Sequence, residues 1–195
     1  GVDYLFGDDG NDGLLGGDGN DEIDGGTGND NIRGDAGDDI VDGSEGNDKV
    51  EGNAGNDFLH GGEGHDDISG GDGNDTAFGG TGNDTLSAGD GLDYVHGDAG
   101  HDKLIGDSGI NYLYGGDGND NLIGRDGEDY LYGGEGNDIL TGSSGRNEFY
   151  GDGGRDYINA TSLTSDMQTA YGGGGNDTIF NYGRGVVEFY GGNGS

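Results

Sequence analysis

The chain has 195 residues, of which 53 are glycine and 27% are hydrophobic, and its formal net charge at pH 7 is −34. This acidity argues against binding to nucleic acid phosphates or to an anionic membrane surface, and no apolar run approaches the ~20 residues of a transmembrane helix. A chain this acidic and this poor in apolar residues is expected to be disordered unless something neutralises its charge.

A nine-residue repeat runs through seventeen consecutive units, from Gly7 to Asn159. Its pattern is Gly, any, any, Gly, any, Asp, any, apolar, any. The fourth position is Gly in every unit, and the sixth is Asp in all units except two, where Asn111 and Asn147 stand instead. A period this regular predicts a solenoid built from stacked repeats.

The last three residues of each unit are expected to form a short strand, with the seventh and ninth side chains pointing outward and the eighth inward. Two inward residues per pair of units bury too little apolar surface to offset the entropy of ordering eighteen residues. Another interaction must therefore stabilise the fold. The eighth positions are Leu14, Ile23, Ile32, Val41, Val50, Leu59, Ile68, Ala77, Leu86, Val95, Leu104, Leu113, Leu122, Leu131, Leu140, Phe149 and Ile158.

The first six residues of each unit are expected to form a glycine-rich turn that points carbonyl oxygens at one centre. Asn often fills the fifth position, and we interpret this as a preference for a residue that tolerates the left-handed region. An Asp carboxylate beside several carbonyls makes an all-oxygen site. Such a site suits Ca²⁺ better than zinc or copper, and the chain has no cysteine to bind a softer metal.

Units such as Gly70-Gly71-Asp72-Gly73-Asn74-Asp75-Thr76-Ala77-Phe78 resemble the repeats-in-toxin (RTX) nonapeptide of hemolysin-type calcium-binding proteins. The resemblance covers nearly the whole chain. It implies an all-β fold, a right-handed parallel β-roll or β-helix solenoid with two repeats per coil. It also implies multiple calcium ions, each held between loops of successive coils.

The ligands that this resemblance implies are the sixth-position carboxylates and backbone carbonyls of the turns. The carboxylates are those of Asp3, Asp12, Asp21, Asp30, Asp39, Asp48, Asp57, Asp66, Asp75, Asp84, Asp93, Asp102, Asp120, Asp129, Asp138, Asp156 and Asp177. The carbonyls are those of Gly10, Gly19, Gly28, Gly37, Gly46, Gly55, Gly64, Gly73, Gly82, Gly91, Gly100, Gly118, Gly127 and Gly136.

The chain is expected to be a single block over residues 1–195, with regular repeats over 7–159 and irregular coils over 160–195. We interpret 160–162 as a three-residue insertion and Asn181 as a one-residue insertion. The units that follow them have Gln168 and Val187 where Asp is expected, and we predict Ala170 and Phe189 to point inward. These coils should bind fewer ions. Both ends fall within repeats, which predicts a piece of a longer chain.

In a two-unit coil, side chains eighteen residues apart stack in columns, and one face of this roll is aromatic. The first column is His60, Phe78, His96, Tyr114, Tyr132, Tyr150, Tyr171 and Tyr190, and the second is Phe58, Thr76, Tyr94, Tyr112 and Tyr130. Stacked rings would stabilise neighbouring strands. Alternatively, they would form a contact surface for a glycan, a receptor or another part of the parent protein. The candidate partner face is Tyr94, Tyr112, Tyr114, Tyr130, Tyr132 and Tyr150.

His65 and His101 precede Asp66 and Asp102, but the repeat itself creates these neighbours and no nucleophile recurs with them. We therefore predict that the chain is not an enzyme and has no catalytic residue. The RTX resemblance implies an extracellular or cell-surface module of a larger secreted bacterial protein. Such a module is disordered without calcium, and its folding outside the cell assists type I secretion and folding of the parent, whose partner is the secretion machinery.

Two alternatives stay open for this module. It could be an adhesin or a receptor- or glycan-binding segment that uses the aromatic face. It could also be the non-catalytic module of a secreted protease, lipase or epimerase.

Overall fold

The computed structural model describes residues 1–162 and 165–192, and within them the regular secondary structure consists of β-strands. Among these residues, no helix is long and apolar enough to cross a membrane. The strands are β1 Tyr4–Phe6, β2 Gly13–Asp18, β3 Glu22–Asp24, β4 Asn31–Ala36, β5 Ile40–Glu45, β6 Lys49–Ala54, β7 Phe58–Glu63, β8 Asp67–Asp72, β9 Thr76–Thr81, β10 Thr85–Ala99, β11 Lys103–Asp117, β12 Asn121–Ile123, β13 Asp126–Gly127, β14 Tyr130–Gly136, β15 Ile139–Thr141, β16 Glu148–Gly154, β17 Tyr157–Asn159, β18 Gln168–Tyr171, β19 Thr178–Phe180 and β20 Val187–Tyr190.

The strands pair in parallel with the strand one coil later, so that two stacks of strands form the two faces of a β-roll. Leu86 pairs with Leu104 and Val95 pairs with Leu113, a separation of eighteen residues. The prediction of two nonapeptides per coil is confirmed. Strands β10 and β11 continue through the turn between the faces and join the two stacks, since β10 pairs with both β8 and β9.

Most strands are longer than the three residues predicted. Strand β8, for example, runs from the seventh position of one unit to the third position of the next, and in it both Ile68 and Gly70 are buried. The inward positions are therefore the sixth, the eighth and the following first. The first position, which is Gly in the regular units apart from Ala88, extends the strand because a very small residue lets the backbone lie against the inside of the coil.

The core consists of two rows of eighth-position side chains, one from each face, that stack along the roll. Most members of both rows are completely buried, among them Ile32, Leu59, Leu104 and Phe149. Each inward residue contacts the equivalent residue of the coils before and after it, because parallel pairing without a register shift repeats the same position. The predicted inward pattern is confirmed from Ile23 to Ile158, while Leu14 in the first complete unit is only partly buried.

The irregular C-terminal coils keep the stacking. Phe149 pairs with Ala170, twenty-one residues away, and Ala170 pairs with Phe189, nineteen residues away. These separations confirm insertions of three residues and of one residue. Ala170 is buried as predicted, whereas Phe189 takes the inward register but is 52% exposed, since no described coil covers it. Leu163, the start of the predicted degenerate unit, lies outside the described residues.

Candidate metal-binding turns

The turns stack into two columns, one on each edge of the roll. In the first edge the sixth-position residues are Asp12, Asp30, Asp48, Asp66, Asp84, Asp102, Asp120, Asp138, Asp156 and Asp177. In the second edge they are Asp3, Asp21, Asp39, Asp57, Asp75, Asp93, Asn111, Asp129, Asn147, Gln168 and Val187. The predicted carboxylate ligands therefore lie in two lines that follow the axis of the roll.

One oxygen of each carboxylate from Asp21 to Asp177 is fixed by a hydrogen bond between coils. The backbone N–H of Asp57 donates to Oδ1 of Asp75 at 2.8 Å, and the N–H of Asp84 donates to Oδ1 of Asp102 at the same distance. The carboxylates from Asp21 to Asp156 are almost completely buried, whereas Asp3 is exposed and Asp12 and Asp177 are partly buried. The bond orients each carboxylate before any ligand arrives.

The second oxygen of these carboxylates is buried without a hydrogen-bond partner. Among the described residues this holds for the Oδ2 atoms of Asp12, Asp21, Asp30, Asp39, Asp48, Asp57, Asp66, Asp75, Asp84, Asp93, Asp102, Asp120, Asp129, Asp138 and Asp156. A buried oxygen without a partner is unfavourable, and an ionised one is far more so. A cation inside each turn would satisfy these atoms, so the residues fit the calcium that the repeat implies.

Carbonyl oxygens of the glycines lie close to the same carboxylates. A Cβ built on Gly100 would overlap the carbonyl oxygen of Gly82, one coil earlier, and would lie 3.1 Å from Oδ1 of Asp102. A Cβ built on Gly16 would lie 2.5 Å from Oδ2 of Asp21 and 2.8 Å from the carbonyl oxygen of Gly34. Each turn thus gathers oxygens from its own coil and from a neighbouring one.

Burial raises the carboxyl pKa values, and neighbouring aspartates add to the effect. Desolvation raises the pKa to about 6 for Asp57, Asp66, Asp75, Asp93 and Asp156, and to about 7 for Asp102, Asp129 and Asp138. Without a cation the turns therefore disfavour the charged form relative to an exposed aspartate. A divalent ion between them would favour the carboxylate instead.

Side chains alone do not surround a metal here. Among the described residues, no three Asp, Glu, His or Cys side chains converge on one point that could hold an ion. A complete calcium shell of six to eight oxygens would need backbone carbonyls in addition to the carboxylates.

The interpretation of the fifth-position Asn was wrong. Residues other than glycine with positive φ occur in the described part of the chain at the second position, as at Asp35 and Asn53, and not at the fifth. The fifth side chain instead accepts the backbone N–H of the fifth residue one coil later, as Asn29 Oδ1 does from Asn47 at 2.8 Å. His65 fills the same role, because its Nδ1 accepts the N–H of Asn83 at 2.7 Å.

The aromatic columns form as predicted over most of their length. Rings of Phe78, His96, Tyr114, Tyr132, Tyr150, Tyr171 and Tyr190 stack with centroid separations of 4.5 to 4.8 Å. Tyr94, Tyr112 and Tyr130 form the second stack at 4.6 to 4.9 Å. At the start of the first column, Phe58 packs on Phe78, and His60 lies 3.0 Å from Asp42.

Comparison with known proteins finds one repeat family. The family model for the RTX calcium-binding nonapeptide repeat (4 copies) matches residues 15–50, 42–77, 69–104, 105–140, 132–162 and 168–181. These matches cover most of the chain and include turns of both edges. No curated protein matches the chain significantly.

Proposed function

Because the chain belongs to the RTX calcium-binding nonapeptide repeat family, we propose that it is a calcium-dependent folding module of a larger secreted protein. The observation that carries this proposal is the line of buried Oδ2 atoms without partners along each edge. These atoms make the roll unfavourable without a cation and favourable with one. Calcium supplies positive charge and a flexible oxygen coordination shell.

The proposed ligands are the sixth-position carboxylates together with carbonyl oxygens of the turns, the fourth-position glycines among them. Oδ1 of each Asp is already bonded to the previous coil, so its Oδ2 is the free ligand atom. Binding in one turn would therefore also fix the coil before it. The roll should consequently fold cooperatively along its length, as a linear array with strong coupling between neighbours.

The charge of the chain favours a role in which calcium controls folding after export. With a formal net charge of −34, the metal-free chain repels itself and should remain extended where free calcium is scarce. We propose that it passes a type I secretion channel in that state and folds in extracellular calcium, where weak sites are sufficient. Its folding would then help the parent protein, whether toxin, adhesin or enzyme, to reach its final structure. The module itself has no catalytic role in this proposal.

The proposal is tested by far-ultraviolet circular dichroism of the chain from chelator to about 10 mM calcium, with magnesium at equal ionic strength as the control. We expect a cooperative change from a disordered to a β spectrum with calcium, and a much smaller change with magnesium. A β spectrum in chelator that calcium leaves unchanged would contradict the proposal. An equal response to magnesium would show that the cations act by screening charge and not by binding at specific sites, which would also contradict the proposal.

A second candidate function is recognition through the aromatic face. The two stacks of rings lie side by side, and Tyr94 is 40% exposed. The rings stack face to face, and the row of ring edges that points outward could contact a glycan or an apolar protein surface. The combined substitutions Tyr112→Ser, Tyr114→Ser, Tyr130→Ser and Tyr132→Ser should abolish binding on a glycan array or to cells while the calcium-loaded β spectrum remains. An unchanged binding profile would exclude this use of the face.

A further inference from the structure

The two edges of the roll differ in their sixth-position residues. The first edge has Asp in all ten turns, from Asp12 to Asp177. The second edge has consecutive Asp residues only as far as Asp93. Beyond that point it has Asn111, Asn147, Gln168 and Val187, with Asp129 as the single carboxylate among them.

The amide of Asn111 fills the place that a carboxylate oxygen takes elsewhere. A Cβ built on Gly97, in the first edge, would lie 2.6 Å from Oδ2 of Asp102, whereas one built on Gly106 would lie 2.9 Å from Nδ2 of Asn111. This Nδ2 donates a hydrogen bond of 2.8 Å to the carbonyl oxygen of Gly106. Since a carbonyl can only accept, the nitrogen must face it. The turn has gained an N–H donor where the others have a carboxylate oxygen, while Oδ1 of Asn111 is buried without a partner.

Gln168 closes a second turn of the same edge in the same way. It is completely buried, and its Nε2 donates to the carbonyl oxygen of Gly145 at 2.6 Å. Gly145 is a fourth-position glycine, whose carbonyl is of the kind proposed to bind calcium in other turns. The amide nitrogen thus bonds this carbonyl in place of a cation, while Oε1 of Gln168 is buried without a partner.

The turn at 142–147, which contains Gly145, is filled by side chains. Oδ1 of Asn147 accepts the backbone N–H of Asp129 at 2.9 Å, so its amide group keeps the orientation of a sixth-position carboxylate. A Cβ built on Gly142 would lie 2.8 Å from Nδ2 of Asn147 and 2.6 Å from the ring of Phe149. The inner side of this turn is therefore occupied by an aromatic ring and by an amide nitrogen that is buried without an acceptor.

The backbone of the second edge changes one turn earlier than its side chains. Strands β10 and β11 run straight through the turns at 88–93 and 106–111, where Leu92 pairs with Ile110 and both fifth positions are apolar. The fourth-position carbonyl of Gly109 accepts the N–H of Glu128 at 3.1 Å. A carbonyl used in a backbone hydrogen bond is less available to a metal.

We propose that calcium fills the first edge along its whole length but fills the second edge only as far as the pair Asp75 and Asp93, beyond which side-chain amides replace it. The inference rests on the proposed calcium-dependent function and specifies which turns do not bind calcium. Asp129 has a buried Oδ2 without a partner, as in the calcium-binding turns, but it is included in the metal-free part because its neighbours one coil before and one coil after are Asn111 and Asn147. A site that takes a carboxylate from both coils cannot form there.

The first experiment counts bound calcium by equilibrium dialysis and elemental analysis of the full chain at saturating calcium. Asn111→Asp would restore an unbroken line from Asp75 to Asp129, and we expect it to bind more calcium per chain than the unaltered protein. Asp102→Asn, in the preceding turn along the chain, which belongs to the first edge, is the matched control and should bind less calcium. If Asn111→Asp bound the same number of calcium ions as the unaltered chain while Asp102→Asn bound fewer, the inference would be overturned and the proposed function would stand.

The second experiment does not depend on the variants folding. In crystals of the unaltered chain grown with calcium, anomalous scattering should place ions along the first edge through the turn at 151–156, and along the second edge only up to Asp93. Calcium within the turns at 106–111 or 142–147 would overturn the inference. Absence of calcium from both edges would instead overturn the proposed function.

Discussion

At the residue scale, the fourth-position glycines satisfy two requirements at once. Gly82 has a φ of +134°, a conformation that side chains strongly disfavour, and a Cβ there would overlap the carbonyl oxygen of Gly64 in the previous coil. The close approach is what lets the carbonyls of one coil face the turn of the next. The invariant glycine is thus a consequence of the stacking distance between coils.

Gly82→Ala should destabilise the calcium-loaded roll by about 2 kcal/mol or more, since strained backbone of this kind alone costs roughly 1–3 kcal/mol. The free energy of unfolding, measured by urea denaturation at saturating calcium, checks this. Gly13→Ala is the control, because no heavy atom lies within 4 Å of a Cβ built at Gly13. It should change the stability by less than about 0.5 kcal/mol. Equal effects of the two substitutions would contradict the steric account.

At the element scale, each strand is stabilised by the strands above and below it and has little stability by itself. A strand such as β14 contributes one completely buried apolar side chain, Leu131, and otherwise relies on hydrogen bonds and on outward side chains stacked on their equivalents. Tyr132 stacks between Tyr114 and Tyr150 at 4.8 and 4.7 Å. The ring columns therefore join several strands of one face.

Tyr132→Ser should lower the free energy of unfolding by about 1 kcal/mol, because it removes two ring contacts of roughly 0.2–1 kcal/mol each. Tyr157→Ser is the comparison, since Tyr157 has one tilted ring contact, with Phe180, and is 45% exposed. Its effect should be smaller. The measurement is denaturant unfolding at fixed saturating calcium. If Tyr132→Ser left stability unchanged, the ring column would not be structural, and the recognition role would gain support.

At the scale of the whole molecule, the buried carboxylates govern how the metal-free roll responds to pH. Burial raises their pKa values to about 6 or 7, from an ordinary value of about 3.9 in the unfolded chain. The folded chain therefore binds more protons than the unfolded chain between these values. The resulting stabilisation is present in full below about pH 4 and is lost as the pH rises through 6 to 7.

Lowering the pH from 8 to 5 in chelator should therefore partly replace calcium and increase the β signal in circular dichroism. The direction follows from the raised pKa values, since protonation removes the buried negative charge that calcium would otherwise neutralise. Asp129→Asn, which removes one carboxyl with a pKa of about 7, should make the change with pH smaller. A β signal that stays constant or falls towards pH 5 would contradict this picture.

Much of the fold could be predicted from the sequence because the repeat is local. The period of nine predicts a solenoid, the eighth position gives the inward rows, and the insertions at 160–162 and at Asn181 give the shifted register of the last coils, whereas two repeats per coil came from the RTX resemblance. The line of sixth-position Asp residues and the aromatic columns follow from the same periodicity. The limits of the strands were not predictable in this way, since the inward first position continues most strands, such as β8, into the next unit.

By itself, the sequence determined which residues share a column, because in a solenoid without register shifts a constant spacing in sequence is a constant position in space. Only the tertiary structure decided which atoms meet between coils. It showed that each carboxylate uses Oδ1 for a backbone N–H and leaves Oδ2 free, that the fifth-position Asn is an acceptor, and that Asn111 and Gln168 donate to carbonyls. These contacts join residues five, eighteen or twenty-three positions apart. They depend on how one turn is oriented against another, which the residue types alone do not specify.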